Sequence, residues 1–379
     1  MKLKLPLAFL FLFNFATAQV PSDWSATSTY SSGALVISDG TTYIAQQDVN
    51  TAGTALTDTS YWLSLDAAAP TSAPSTSAPT STPDTSTVPT ETPDTDTTEE
   101  VRLKGISTNA TVTPTALMVA GVTITGGTKK VVFQVQATGT YGSNDGYLQD
   151  PVLYIVNSLG AVVATVDNWQ DGPDAGYDAT LYSTSYLSEL QNSSYAMAGA
   201  NESAIIMNLP EGSYTALVGS KSGAETAKAV VAAFDFETGA TISKLKGIST
   251  NATVTPTALM VAGVTITGGT KKVVFQVQAT GTYGSNDGYL QDPVLYIVNS
   301  LGAVVATVDN WQDGPDAGYD ATLYSTSYLS ELQNSSYAMA GANESAIIMN
   351  LPEGSYTALV GSKSGAETAK AVVAAFDFE

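Results

Sequence analysis

The sequence predicts an all-β protein: a small three-stranded module, a disordered linker and two identical antiparallel β-sandwich domains. Three observations predict it. Residues 103–237 recur as residues 245–379, shifted by 142, with no difference in 135 positions. Within each copy, short runs rich in Val, Ile, Thr, Tyr and Phe alternate with turn residues. Before the copies, a stretch of Thr, Ser, Ala and Pro separates them from a short aromatic-rich unit.

The chain opens with an export signal over residues 1–18. Lys2 and Lys4 precede an apolar run from Leu5 to Phe15, and Ala16-Thr17-Ala18 offers small residues for cleavage. The run is about half the ~20 residues that a membrane span needs. The expected location is therefore secreted, extracellular or at the cell surface, with no membrane insertion. Without the two signal lysines, 35 acids face 12 bases and the net charge is −23. That charge repels phosphate backbones and argues against nucleic acid as a partner. The chain has no His and no Cys. That removes disulfides, the usual zinc sites, Ser-His-Asp triads and thiol nucleophiles from consideration.

Residues 19–66 form the aromatic unit, with Trp24, Tyr30, Tyr43, Tyr61 and Trp62. Flat rings stack on pyranose faces, and they also fill small cores. Trp24, Ala26 to Tyr30, Ser32-Gly33, Val36, Asp39-Gly40, Tyr43 to Ala45 and Tyr61-Trp62 resemble the chitin-binding type 3 module, carbohydrate-binding module family 5/12. That resemblance implies a compact three-stranded fold binding an insoluble polysaccharide: chitin, cellulose or a cell-wall glycan. Chitinase-attached members carry consecutive tryptophans where this chain has Gln46-Gln47-Asp48. By position, Tyr30, Tyr61 and Trp62 are expected to touch sugar, and Trp24 and Tyr43 to be core.

Residues 67–101 are the linker. Pro70, Pro74, Pro79, Pro83, Pro89 and Pro93 sit among Thr, Ser and Ala, ahead of Asp94, Asp96, Glu99 and Glu100. Such a segment cannot bury enough apolar surface to fold and is expected to be an extended tether.

Residues 102–237 and 245–379 are the sandwich repeats, with residues 238–244 as spacer. Turn chemistry predicts three hairpins in each: around Gly126-Gly127, around Asn157 to Gly160 and around Pro210 to Ser213. In Val131 to Ala137 the alternation predicts one buried and one polar face. Leu181 to Ala200 has room for one short helical turn. The runs Pro151 to Trp169 and Glu202 to Ala216 resemble jelly-roll-type accessory domains of secreted bacterial proteins, which implies no catalysis.

Asp167, Asp171, Asp174 and Asp178 place four carboxylates in twelve residues, repeated as Asp309, Asp313, Asp316 and Asp320. Oxygen-rich loops suit Ca²⁺, the one cofactor the sequence suggests; a solvated acidic loop is the competing account. The expected function is a secreted, non-catalytic carbohydrate-binding protein whose tandem sandwiches add reach or avidity. The alternatives are a polysaccharide hydrolase or its accessory subunit, and a surface adhesin or fibre subunit that self-associates through its repeats.

Overall fold

The computed structural model describes residues 22–30, 35–38, 41–45, 49–58, 62–64, 101–114, 117–142, 146–173, 178–182, 184–237, 243–256, 259–285, 287–316 and 320–378. The expected signal and all but the last residue of the expected linker lie outside them.

In the N-terminal unit, β1 (Ser22–Asp23), β2 (Leu35–Ser38), β3 (Thr41–Ala45) and β4 (Trp62–Ser64) form one sheet in that order. The β2–β3–β4 meander is antiparallel, and the two-residue β1 adds a fourth, parallel strand at its edge to the three expected. Its core is small: Val36 and Val49 are buried, with Trp24, Tyr30 and Leu56 packed against them.

Each repeat supplies eight strands. The first has β5 (Arg102–Val112), β6 (Met118–Thr125), β7 (Lys129–Gln136), β8 (Pro151–Asn157), β9 (Val162–Val166), β10 (Ser203–Leu209), β11 (Gly212–Ser220) and β12 (Ala227–Asp235). The second has β13 (Lys244–Val254), β14 (Met260–Thr267), β15 (Lys271–Gln278), β16 (Pro293–Asn299), β17 (Val304–Val308), β18 (Ser345–Leu351), β19 (Gly354–Ser362) and β20 (Ala369–Asp377). β6 shows the sandwich logic directly. Met118, Ala120, Val122 and Ile124 are buried, while the residues between them are half-buried. A period of two places one face of the strand in the core.

The two repeats do not form separate sandwiches. One sheet runs β10-β7-β12-β5-β14-β19-β16-β17, and the other β18-β15-β20-β13-β6-β11-β8-β9. Each repeat gives four strands to each sheet, so both eight-stranded antiparallel sheets cross from one repeat to the other. The joints are β5 with β14 and β13 with β6. Small residues make the approach close. A Cβ on Gly121 would stand 2.6 Å from the Ser249 hydroxyl, and one on Gly263 would stand 2.6 Å from that of Ser107.

Two of the three expected hairpins are corrected by this topology. β6 and β7, joined through Gly126-Gly127, lie in different sheets, and so do β10 and β11, joined through Pro210-Glu211. Both connections are arches over the end of the sandwich. Turn residues fix a local reversal but not whether the two arms pair with each other. The β8–β9 hairpin forms as expected, with the Asn157 carboxamide oxygen accepting from the backbone of Leu159 and Ala161 and Gly160 at φ 80°.

The polar face expected on β7 is also corrected. Val132 is 0 % exposed and Gln134 5 %, although both point away from the sandwich core. The long β9–β10 connection folds back over this outer face. It carries a helical turn at Tyr186–Gln191, longer than expected from sequence, and a 3-10 turn at Ala179–Leu181. Gln134 Nε2 donates to the Tyr195 carbonyl at 2.5 Å, and the Tyr195 ring packs on Phe234 and Phe236.

Candidate functional site

The expected sugar-contact residues of the N-terminal unit divide. Tyr30 is half-buried: its ring packs on the small core and its hydroxyl accepts from the Ser25 backbone N–H at 2.7 Å. It therefore has a structural task in addition to any contact with sugar. Trp24 packs on the same core. Tyr43 and Trp62 stand on neighbouring strands β3 and β4, and Tyr61 lies outside the described residues.

The described carboxylates of the acidic loop each have a separate partner. Asp167 forms an ion pair with Lys221, Asp171 accepts from Asn168 Nδ2 at 3.0 Å, and Asp178 accepts from the Thr180 N–H at 2.9 Å. These Thr180 hydrogen bonds, from hydroxyl and N–H, hold the Asp178 carboxyl below its usual range. Asp174 lies outside the described residues; in the second repeat Asp309, Asp313, Asp316 and Asp320 are all described. Among the described residues no group of three or more acidic side chains is placed to hold a metal ion.

Other acids are committed to structure. The Glu202 carboxylate is 1 % exposed and accepts from Ala137 N at 2.7 Å, Thr140 N at 2.8 Å, Thr140 Oγ1 at 3.1 Å and Gly199 N at 2.9 Å. Glu344 occupies the same place in the second repeat. Gly139 and Gly199 let the two loops meet there, since a Cβ on Gly139 would stand 2.4 Å from the Gly199 Cα. Asp235 pairs with Lys129 at 2.9 Å and Arg102 at 3.1 Å in a buried network. Asp150 faces Asp167; burial first, and then that neighbouring charge, push its carboxyl above the usual range.

The turn held by Glu202 carries a feature the sequence reading missed. Tyr141 and Tyr147 stack with ring centroids 4.3 Å apart and planes 20° from parallel. Lys228 Nζ sits 5.1 Å from the Tyr147 ring centroid, and the Tyr141 hydroxyl donates to Gln136 Oε1 at 2.8 Å. Thr138 Oγ1 fixes the other side of the loop on the Leu148 carbonyl at 2.6 Å. Tyr141 is 37 % exposed, among the most exposed large rings of the described residues. The second repeat repeats the stack with Tyr283 and Tyr289 at 4.3 Å, more deeply set, where burial pushes the Tyr283 phenol up to about 12. Two tyrosines six residues apart, with Gly142 and Gly146 between them, were the available signal. Spacing in a loop does not reveal stacking.

The crevice lined by Ile106, Val122, Phe133, Ala216, Val231 and Ile248 is apolar and leaves no room for a water molecule.

No family model matches the chain, and no curated protein matches it. Among solved structures, the VP2 subviral particle of infectious bursal disease virus aligns with 12 % identity over 76 % of this chain and 75 % of that one, at a TM-score of 0.13. A likeness at that level carries no argument about this chain.

Proposed function

We propose that the protein is an exported, non-catalytic glycan-binding protein in which the twin sandwich is a single rigid body. The observation that carries this reading is the locked tyrosine stack, present once in each repeat. A buried carboxylate with four hydrogen bonds is an expensive support for a surface loop. What it supports is a partly exposed aromatic surface edged by Gln136, Thr140 and Lys228, apolar on its ring and polar at its rim. That combination suits a pyranose, which presents an apolar face and a hydroxyl edge. Two copies on one body, together with an N-terminal unit resembling a chitin-binding module, give the avidity that weak sugar contacts need.

The test is retention of the full chain on insoluble chitin, cellulose and xylan. The Tyr141→Ala, Tyr283→Ala pair and the Tyr61→Ala, Trp62→Ala pair are each expected to lower retention. Tyr141→Phe with Tyr283→Phe, which keeps the rings, is expected to retain it. Retention on none of the polymers would end the glycan reading. Release of reducing sugar from them would replace it with the hydrolase alternative. One observation favours the adhesin or fibre alternative: the edge pairing that joins the repeats.

A further inference from the structure

The surface that joins the two repeats is the same in both copies except at one end, where Arg102 of the first stands in place of Lys244 of the second. β5 pairs with β14, the second repeat's counterpart of β6, and β13, the counterpart of β5, pairs with β6. Thr108 stands opposite Ala262, and Thr250 stands opposite Ala120, each residue 142 from its counterpart. Thr108 Oγ1 donates to the Val261 carbonyl at 2.6 Å, and Thr250 Oγ1 donates to the Val119 carbonyl at 2.6 Å. This is an isologous contact: the same patch meets itself about a two-fold axis. Because residues 103–125 and 245–267 are the same sequence, the first repeat of one chain would meet the first repeat of another in the same register.

The outer ends of the sheets differ from the joint. The β10 strand is packed by the helical turn Tyr186–Gln191, and the end of β9 is bridged by Pro173 through Val166. The sheet edges that complement themselves are β5 and β6.

We propose that this joint is exchangeable between chains, so that the partner it fits is a second copy of this chain. A repeat then pairs with a repeat of its neighbour, closing two-chain rings or extending into rows. Within one chain, residues 236–243 connect β12 to β13 and keep the partner repeat at an effective concentration on the order of 1 mM. Exchange therefore grows as chain concentration approaches that value, or where chains fold side by side. The spacer is what chiefly favours the closed monomer, since the joint differs between arrangements at Arg102 and Lys244 alone among its paired positions.

The test uses the full chain carrying Asn109→Cys and Val119→Cys, in a protein with no cysteine of its own. Within one chain, Asn109 faces Val261, while Val119 belongs to the other sheet. Both side chains point outward, on opposite sides of the sandwich, and cannot be bridged there. First-repeat to first-repeat pairing between chains places each introduced thiol opposite its partner. A control chain with Asn109→Cys and Val261→Cys is expected to close internally as a monomer. The chains are unfolded, refolded at about 5 μM and about 500 μM, chosen to bracket the approach to the effective concentration, then oxidised and sized by non-reducing gel and light scattering. The expected result is covalent dimers and longer species whose share rises at least about fivefold between the two concentrations, scaling with chain concentration against that fixed internal competitor. Uncrosslinked monomer at both concentrations, beside a closed control, overturns the proposal. If the control does not close, mass decides: dimers and larger species at the higher concentration support the proposal, and monomer alone overturns it.

Discussion

Thr108 donates its hydroxyl to the carbonyl of Val261, at 2.6 Å, across the line where one copy of the sequence ends and the other begins. Thr250 and Val119 make the same bond on the opposite sheet. Thr→Val keeps the shape and removes the donor. Thr108→Val and Thr250→Val are each expected to cost about 1 kcal/mol. The two losses should be equal within error, because the environments are copies. Urea denaturation of the single and double variants checks this. Unequal losses would mean that the two joints are not equivalent.

Glu202 should tolerate Gln better than Ala, at a cost. A carboxamide oxygen keeps the bonds from Ala137 N and Thr140 N, and the Thr140 hydroxyl can turn to accept from the new nitrogen, but the Gly199 N–H is left facing a donor. Glu202→Ala is expected to cost about 3 kcal/mol or more, since it leaves buried N–H groups unpaired. Glu202→Gln should cost less, about 1–2 kcal/mol, for the one N–H left unpaired. Equilibrium unfolding measures both, and a near-neutral Gln variant would show that fewer donors converge there.

Lys129 is 0 % exposed and pairs with Asp235 at 2.9 Å and Glu237 at 2.6 Å. Lys129→Met fills the space but leaves Asp235 with less compensation, at an expected cost of about 3–5 kcal/mol. Adding Asp235→Leu together with Arg102→Met, which removes the second cation paired to that carboxylate, should restore part of that loss. A triple variant less stable than the single one would refute this account.

The carboxyls Asp150 and Asp292 give stability a definite pH dependence. Their folded values lie above the unfolded 3.8, through burial first and then the facing Asp167 and Asp309. A raised carboxyl contributes stability that is present in acid and is lost as pH rises through the folded value. Asp150→Asn with Asp292→Asn is therefore expected to raise Tm at pH 7, by about 1–2 °C, with the gain shrinking towards pH 4. Glu189 and Glu331 act in the opposite sense. Hydrogen bonds from Lys130 and Lys272 lower them, so their contribution is lost as pH falls. Melting curves of wild type and variant at both pH values separate the two effects. A gain at pH 4 equal to that at pH 7 would contradict the assignment.

The periodicity of the sequence carried the all-β class, the strands and the repeat. Met118 to Ile124 alternates because one face meets the core, and that signal is local. What the sequence did not carry was which strand lies beside which. Gly126-Gly127 and Pro210 to Ser213 serve an arch as readily as a hairpin, because nothing in a turn specifies the strand across the sheet. Gln134 looked solvent-facing because its cover, Tyr195, is 61 residues away in sequence. The joint of β5 with β14 was hidden for a further reason. Identical copies cannot reveal whether a contact is made within a repeat or between repeats. The aromatic residues of the N-terminal unit were legible as a cluster, whereas the division of Tyr30 between core and surface needed its hydrogen bond to Ser25.

The way the chain enters the twin body has a mechanical consequence. The tether expected before residue 101 leads straight into β5, which is held between β12 on one side and β14 on the other. A pull on the tether runs along this strand, so the flanking hydrogen bonds are loaded in shear and must yield together. An edge strand pulled from its end would instead unzip one bond at a time. Drag on an anchored molecule would thus meet its greatest resistance at the entry point.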